Sequence, residues 1–279
     1  MPSPTEITPV QLARLVGTAE APLVIDVRID EDFALDPRMI PASQRRSHKD
    51  IAAWGEALAG RSVVVSCQKG LKLSQGVAAW LRHLGAEASS LEGGFMAWQE
   101  HGLPLVNLSA LPPRDSEGRT LWVTRARPKI DRIACPWLIR RFIDPGAVFL
   151  FVAPSEVEAV AERFGATPFD VENVFFSHRG DPAAADHTCT FDTMVSEFGL
   201  ATPALTRLAT IVRAADIARP ELAPQAEGLL AASLGLSRMF RDDLAQLDAG
   251  MLLYDAFYRW CRDAVSETHN WPNPGARAS

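Results

Sequence analysis

The sequence has 279 residues, 47% hydrophobic, 22% charged and 8% aromatic, a globular composition with room for about two domains that excludes collagen-like, coiled-coil and fully disordered chains. A formal net charge of −6 argues against direct nucleic-acid binding through a basic face. Cys67, Cys135, Cys189 and Cys261 form no CxxC pair and are too sparse for a disulfide scaffold; with no basic-then-apolar leader and no apolar window of about 18 residues, the expected setting is the cytoplasm, with reduced thiols and no membrane partner.

Residues 23–27 and 63–66 are short continuous apolar runs that predict buried strands, and residues 74–84 carry a helical pattern between strands. Runs of this kind point to a parallel sheet with helices on both faces, so residues 1–106 are expected to form an α/β domain. Residues 107–118, rich in proline and charge, mark a linker. Residues 119–279 predict a mostly α (α+β) domain with strands at 121–124, 148–152 and 174–177. Thr190 and Asp192 fit an N-cap and first-turn acid of a helix over 191–198. Phe240, Leu244, Leu247, Met251, Tyr254, Tyr258 and Cys261 recur at helical spacing as the core stripe of a last helix. Each domain is expected to bury a core of its own, and the tail after Trp271 is expected to be disordered.

The first chemical signal is Val63-Val64-Val65-Ser66-Cys67-Gln68-Lys69-Gly70-Leu71-Lys72, where a strand delivers Cys67 to a tight loop just before a helix. Loop amides, the positive end of the helix dipole and the ammonium groups of Lys69 and Lys72 all favour a thiolate. Gly70 can take the positive φ that lets successive N–H groups converge on one anion. A small buried core thiol is the alternative.

These residues and their surroundings resemble the rhodanese homology domain of sulfurtransferases. The likeness rests on Ile25-Asp26-Val27-Arg28, Phe33, Ile40-Pro41-Ala42, the loop from Cys67 to Lys72, Leu91-Glu92-Gly93-Gly94-Phe95, Trp98 and Gly102-Leu103-Pro104. The resemblance implies Cys67 as nucleophile carrying sulfane sulfur as a persulfide, with no other cofactor. It implies Gln68, Lys69, Gly70, Leu71 and Lys72 as the surrounding loop, and a thiol or other nucleophile as sulfur acceptor. Asp26 and Arg28 are expected to be structural ions near that site. Two departures stand out: Ala42 where the family has glycine, and Lys72 where it has arginine, a point charge in place of a bidentate fork.

The second signal is the basic segment 122–142. A helix is expected to start near Cys135, with Pro136 in its first turn and Arg132 just before it. Such an N-terminus, flanked by Arg125, Lys129 and Arg132, suits a tetrahedral oxyanion, with Asp131 as a cap or an arginine's partner and Arg140 and Arg141 on a solvated face. This segment, together with Ser177-His178-Arg179-Gly180, Cys189-Thr190-Phe191-Asp192, Ala214-Ala215-Asp216 and Glu267-Thr268-His269-Asn270-Trp271-Pro272, resembles the C-terminal domain of ChrB-type chromate-resistance proteins. The resemblance implies Arg125, Arg132 and His178 as anion-sensing residues, for chromate or sulfate; Lys129 is added on charge. No metal site is expected: His178, His187 and Cys189 offer ligand atoms but no HxxxH or HExxH spacing, and structural roles are favoured. The leading expectation is a sulfurtransferase fused to an oxyanion-recognising domain; alternatives are a non-enzymatic oxyanion sensor in which the first domain only binds, and a thiol-based reductase.

Overall fold

A computed structural model describes residues 5–182, 184 and 186–267. In chain order it contains β1 (Glu6–Ile7), α1 (Pro9–Leu15), β2 (Leu23–Asp26), α2 (Asp30–Leu35), β3 (Gln44–Arg45), α3 (Ile51–Trp54), β4 (Ser62–Ser66), α4 (Lys72–His83), β5 (Glu87–Leu91) and α5 (Gly94–Glu100). Then come β6 (Leu121–Arg125), α6 (Asp131–Leu138), β7 (Val148–Val152), α7 (Val157–Phe164), β8 (Thr167–Pro168), α8 (Thr190–Glu197), α9 (Pro203–Asp216), α10 (Ala226–Met239) and α11 (Asp243–Arg259). Among the described residues, no helix is long and apolar enough to cross a membrane. His269 and the tail after Trp271 lie outside the described residues.

The first sheet is parallel throughout, in the order β1-β5-β4-β2-β3. Its central strands β2 and β4 are largely apolar on both sides because both faces are covered. Ile25, Val63 and Val65 pack on Val77, Ala78 and Leu81 of α4 and on Ile51 of α3. Val24, Val64 and Leu91 face Leu12 of α1 and Phe95 and Trp98 of α5. The second sheet is a smaller parallel one, β7-β6-β8. Residues 174–177 do not form the expected strand; Phe176 makes only an isolated bridge to Phe169 and turns its ring onto Trp122. One bridging aromatic anchors this segment to the core without a ladder.

The expected pair of separate cores is not observed. The cluster holding Leu12, Val24 and Trp98 continues through Trp122, Trp137, Phe142, Phe191 and Tyr254 of the second half. Phe142 makes the join: a Cβ on Gly17 would sit 2.2 Å from its ring, and its carbonyl accepts the Ala42 amide at 2.6 Å. Ala42 has φ +58, a conformation that favours glycine, and this bond across the two halves helps hold it there. The segment 107–118 is ordered as well, since Asp115 accepts Arg119 through its amide at 2.8 Å and its Nε at 2.9 Å.

The last helix is shorter at its start than the stripe predicts. Phe240 caps α10 instead, because Asp242 accepts the Ala245 amide at 2.7 Å and so begins α11. Leu244 is exposed; Leu247, Met251, Tyr254, Tyr258 and Cys261 form the buried stripe.

Candidate functional site

β4 ends at Ser66 and α4 begins at Lys72, so the residues between them form a loop at the carboxyl end of a central strand, the edge of an open α/β sheet where ligands bind. The loop's shape is fixed from outside. The carbonyls of Cys67 and Gln68 turn away and accept the amides of Phe95 and Met96 at 2.9 and 3.1 Å, at the start of α5. Two glycines allow this contact: Gly70 at φ +68 lies against the Gly93 and Gly94 amides, and Gly94 at φ +61 lies against the Cys67 carbonyl and Gly70 amide. With the carbonyls turned outward, the N–H groups of Gln68, Lys69, Gly70 and Leu71 have no acceptor among the described residues.

Cys67 lies at the base of this loop and is 5% exposed. Its Sγ is 3.2 Å from Ser74 Oγ, which also approaches the Leu71 carbonyl at 3.2 Å. Sequence reasoning missed Ser74; its signal was its place in the first turn of the helix that follows the cysteine. Lys69, Leu71 and Lys72 are exposed, Gln68 is half-buried and Gly70 is buried.

Asp26 and Arg28 form a self-contained pair. Arg28 Nη2 is 2.7 Å from Asp26 Oδ2, its Nη1 and Nη2 bond the Asp36 and Arg38 carbonyls at 2.9 and 2.8 Å, and its guanidinium lies 3.7 Å from the centroid of the Phe95 ring. Each guanidinium nitrogen is engaged in holding the segment from β2 to residue 38, and Phe95 links that segment to the loop's support.

The basic segment differs from the expected anion site. α6 starts at Asp131, not near Cys135, so Arg132 is inside the helix and Pro136 lies in its interior, past the first turn, without breaking it. Asp131 is the reason: its Oδ2 accepts the amides of Thr190 and Phe191 at 2.6 and 3.3 Å, capping α8 from a distance and fixing the start of α6. Ile130 before it has φ +41, held by Ser233 Oγ on its amide at 3.2 Å and Tyr254 Oη on its carbonyl at 3.0 Å. Cys189, not Thr190, is the N-cap residue of α8, and Thr190 turns its hydroxyl to Asp170 Oδ1 at 3.1 Å.

The cations that were to hold an anion are already held by carboxylates. Asp170 Oδ2 takes Arg125 at 3.0 Å and Arg132 at 3.2 Å. His178 Nε2 is 3.2 Å from Asp216, 3.4 Å from Asp170 and 3.6 Å from Asp131. Lys129 is elsewhere, in a pocket lined by Arg127, Leu234 and Ser237. Arg140 and Arg141 are not a solvated face: they pair with Asp248 at 3.0 Å and Asp255 at 2.7 Å of α11. Of the residues given no role from sequence, Asp170 lies in no motif, whereas Asp216 ends the Ala214-Ala215-Asp216 string noted above. His187 stacks beside His178 with ring centroids 5.4 Å apart, while Cys189 Sγ turns to Asp192 Oδ2 at 3.3 Å, so the three suggested ligands do not converge.

Electrostatically the cluster is tightly coupled. Burial, then Asp216 and Asp170, push Asp131 well above the ordinary carboxylate range. Burial also pushes Asp170 upward but is outweighed by His178, Arg125 and Arg132, which leave it lowered. Hydrogen bonding to Asp170 and then Asp216 raises His178 to about 10. A histidine raised in the folded state stabilises fully below its unfolded value of about 6.5 and loses that contribution as pH climbs to about 10. Asp131 acts with the same sign. The stability difference between wild type and His178→Gln should therefore shrink between pH 6.5 and 10 in urea titrations, by on the order of 1 kcal/mol after solvent screening of a side chain 35% exposed. A constant difference across that range would show that His178 does not titrate there.

Burial likewise raises the Cys135 and Cys189 thiols well above their ordinary value. Neither is an accessible reductant: both are 0% exposed.

Comparison with known proteins matches these two halves. A family model described as ChrB, C-terminal domain, fits residues 122–261, just over half of the chain, and a rhodanese-like domain model fits residues 8–101. The chain is 33% identical over 153 residues to Protein ChrB of Cupriavidus metallidurans, covering 54% of this chain and 44% of that protein. It therefore spans less than half the length of that relative. It is 31% identical over 102 residues to a sulfurtransferase of Allochromatium vinosum, covering 36% of this chain and 94% of that protein. Among solved structures, a rhodanese-related protein from Thermoplasma volcanium aligns with a TM-score of 0.32 at 24% identity, over 36% of this chain and 96% of that one. The chain belongs to the ChrB C-terminal-domain family and carries, ahead of that domain, a rhodanese-like domain of the sulfurtransferase superfamily.

Proposed function

We propose that the first domain is a sulfurtransferase that carries sulfane sulfur as a persulfide on Cys67. The observation that carries this reading is the set of N–H groups from Gln68 to Leu71, next to Cys67, that have no acceptor among the described residues while the Cys67 and Gln68 carbonyls are turned onto α5. Convergent amides at the start of a helix stabilise anions without the cost of reorganising solvent. They suit first the Cys67 thiolate, then the sulfonate of a thiosulfate-like donor, then the terminal persulfide sulfur.

The transfer balances in two steps. The Cys67 thiolate attacks the sulfane sulfur of thiosulfate; a new S–S bond forms on the protein, and the donor's S–S bond breaks with its electron pair leaving on sulfite. A thiolate or another nucleophilic acceptor then attacks the terminal sulfur and returns Cys67 to thiolate. Ser74, within reach of Sγ, donates to the thiolate when the loop carbonyl releases it. In this reading the loop receives the donor's oxyanion, a role favoured over the second domain because Arg125, Arg132 and His178 already face carboxylates.

After thiosulfate treatment, the intact mass of the wild-type protein should rise by one sulfur. Cys67→Ser should gain none, and Cys135→Ser should load like wild type. Equal loading of wild type and Cys67→Ser, or no loading of wild type, would overturn the proposal and leave the first domain as a binding module.

A further inference from the structure

Beyond the chemistry at Cys67, the second domain gathers one imidazole and several carboxylates with a geometry that salt bridging leaves unexplained. His178 Nε2 and one oxygen each of Asp131 and Asp170 lie within 4.8 Å of one another. Asp216 Oδ2 is 3.2 Å from the same nitrogen. These residues come from four separate places: the start of α6, the turn after β8, the loop before α8 and the end of α9. Such convergence on one nitrogen exceeds what a single N–H can satisfy.

A second observation is independent of that clustering. Asp131 is 0% exposed, and although its Oδ2 accepts two α8 amides, its Oδ1 is buried without a hydrogen-bond partner among the described residues. A buried carboxylate oxygen left unpaired costs free energy unless something else neutralises it.

We propose that Asp131, Asp170 and His178 bind a divalent transition-metal cation, with Asp216 within reach as a further ligand. The separations of 3.2 and 3.4 Å from Nε2 to Asp216 Oδ2 and Asp170 Oδ1 are close to the distance of about 3.3–3.6 Å between ligand atoms around a tetrahedral cation with bonds of about 2.0–2.2 Å. Asp131 approaches Nε2 at 3.6 Å through the Oδ2 that accepts the α8 amides, and its unpaired Oδ1 is the oxygen left for a cation. A cation bound here would replace the proton on His178 Nε2, while Arg125 and Arg132 both bind the other oxygen of Asp170 and leave Oδ1 facing the imidazole.

The donor set selects the class of metal. One imidazole with carboxylates suits zinc or manganese better than copper(I), which seeks sulfur. Cys189 is turned toward Asp192. A pocket of about 460 Å³ lined by Arg125, Asp170, His178 and His187 opens the site to solvent, so a ligated cation would keep an open face.

The test uses the full chain, stripped with chelator, desalted and titrated with zinc sulfate by calorimetry. We expect one equivalent bound and at least a tenfold loss of affinity in His178→Ala. X-ray absorption of the zinc-loaded wild type should show one imidazole in an otherwise oxygen shell, a readout that does not depend on any variant folding. No binding by wild type, unchanged affinity in His178→Ala, or sulfur in the first shell would overturn the assignment. None of these outcomes depends on whether Cys67 loads sulfur.

Discussion

Gly94→Ala is expected to slow sulfur loading of Cys67 by about 100-fold and to cost about 2–4 kcal/mol of stability. The substituted Cβ would lie 2.2 Å from the Cys67 carbonyl and 2.4 Å from the Gly70 amide, both backbone atoms. Neither can easily retreat, because the Phe95 and Met96 amides anchor the Cys67 and Gln68 carbonyls. The loop must therefore swing, and its amides lose their common focus. The φ of +61 adds the usual cost of a left-handed alanine. Gly102→Ala separates the two effects, since Gly102 has the same φ of +61 with nothing within 4 Å of its Cβ. Urea unfolding and the rate of persulfide appearance by mass spectrometry should show Gly102→Ala losing about 1 kcal/mol with normal loading. Equal behaviour of the two variants would mean that the contact between loop and α5 does not shape the site.

This loop was legible in the sequence because its determinants are local. An apolar run, a cysteine, a glycine and a helix start lie within a dozen residues, and strand and helix patterning place them at a sheet edge. The α/β class of the first domain follows from the same continuous apolar runs at residues 23–27 and 63–66. What supports the loop was not legible: Gly94 meets Gly70 from another element, and Ser74 reaches back to Sγ. The second domain shows the larger gap. A run of arginines looks cationic along the chain, yet its partners, Asp170, Asp248 and Asp255, lie roughly forty to over a hundred residues away. Charge summed along a segment therefore leaves out the carboxylates that meet those cations in space. The start of α6 was misplaced for a related reason, since the proline rule was outweighed by Asp131 capping a distant helix. The shared core escaped notice because Phe142 reads as part of its own helix, and nothing local says that Gly17 leaves room for its ring.

Asp170→Ala should be the most damaging single change in the second domain, at about 3–5 kcal/mol. The side chain is 6% exposed and neutralises Arg125 and Arg132 through one oxygen while the other meets Thr190 at 3.1 Å and His178 at 3.4 Å. Truncation would leave Arg132, only 18% exposed, with its charge unmatched in a largely dry setting. Backbone strain adds to this, because Asp170 has φ +53, which aspartate and asparagine tolerate better than alanine. Asp170→Asn should therefore lose clearly less stability, keeping the Thr190 bond and the left-handed turn while giving up the charge. A double-mutant cycle apportions what remains. Coupling of Asp170 to Arg132 should exceed its coupling to Arg125, which is 42% exposed and more fully screened by water. If chemical denaturation showed Asp170→Ala losing less than about 1 kcal/mol, or the two couplings proved equal, the carboxylate would be a surface partner and not the element that joins β6, α6 and α8 around His178.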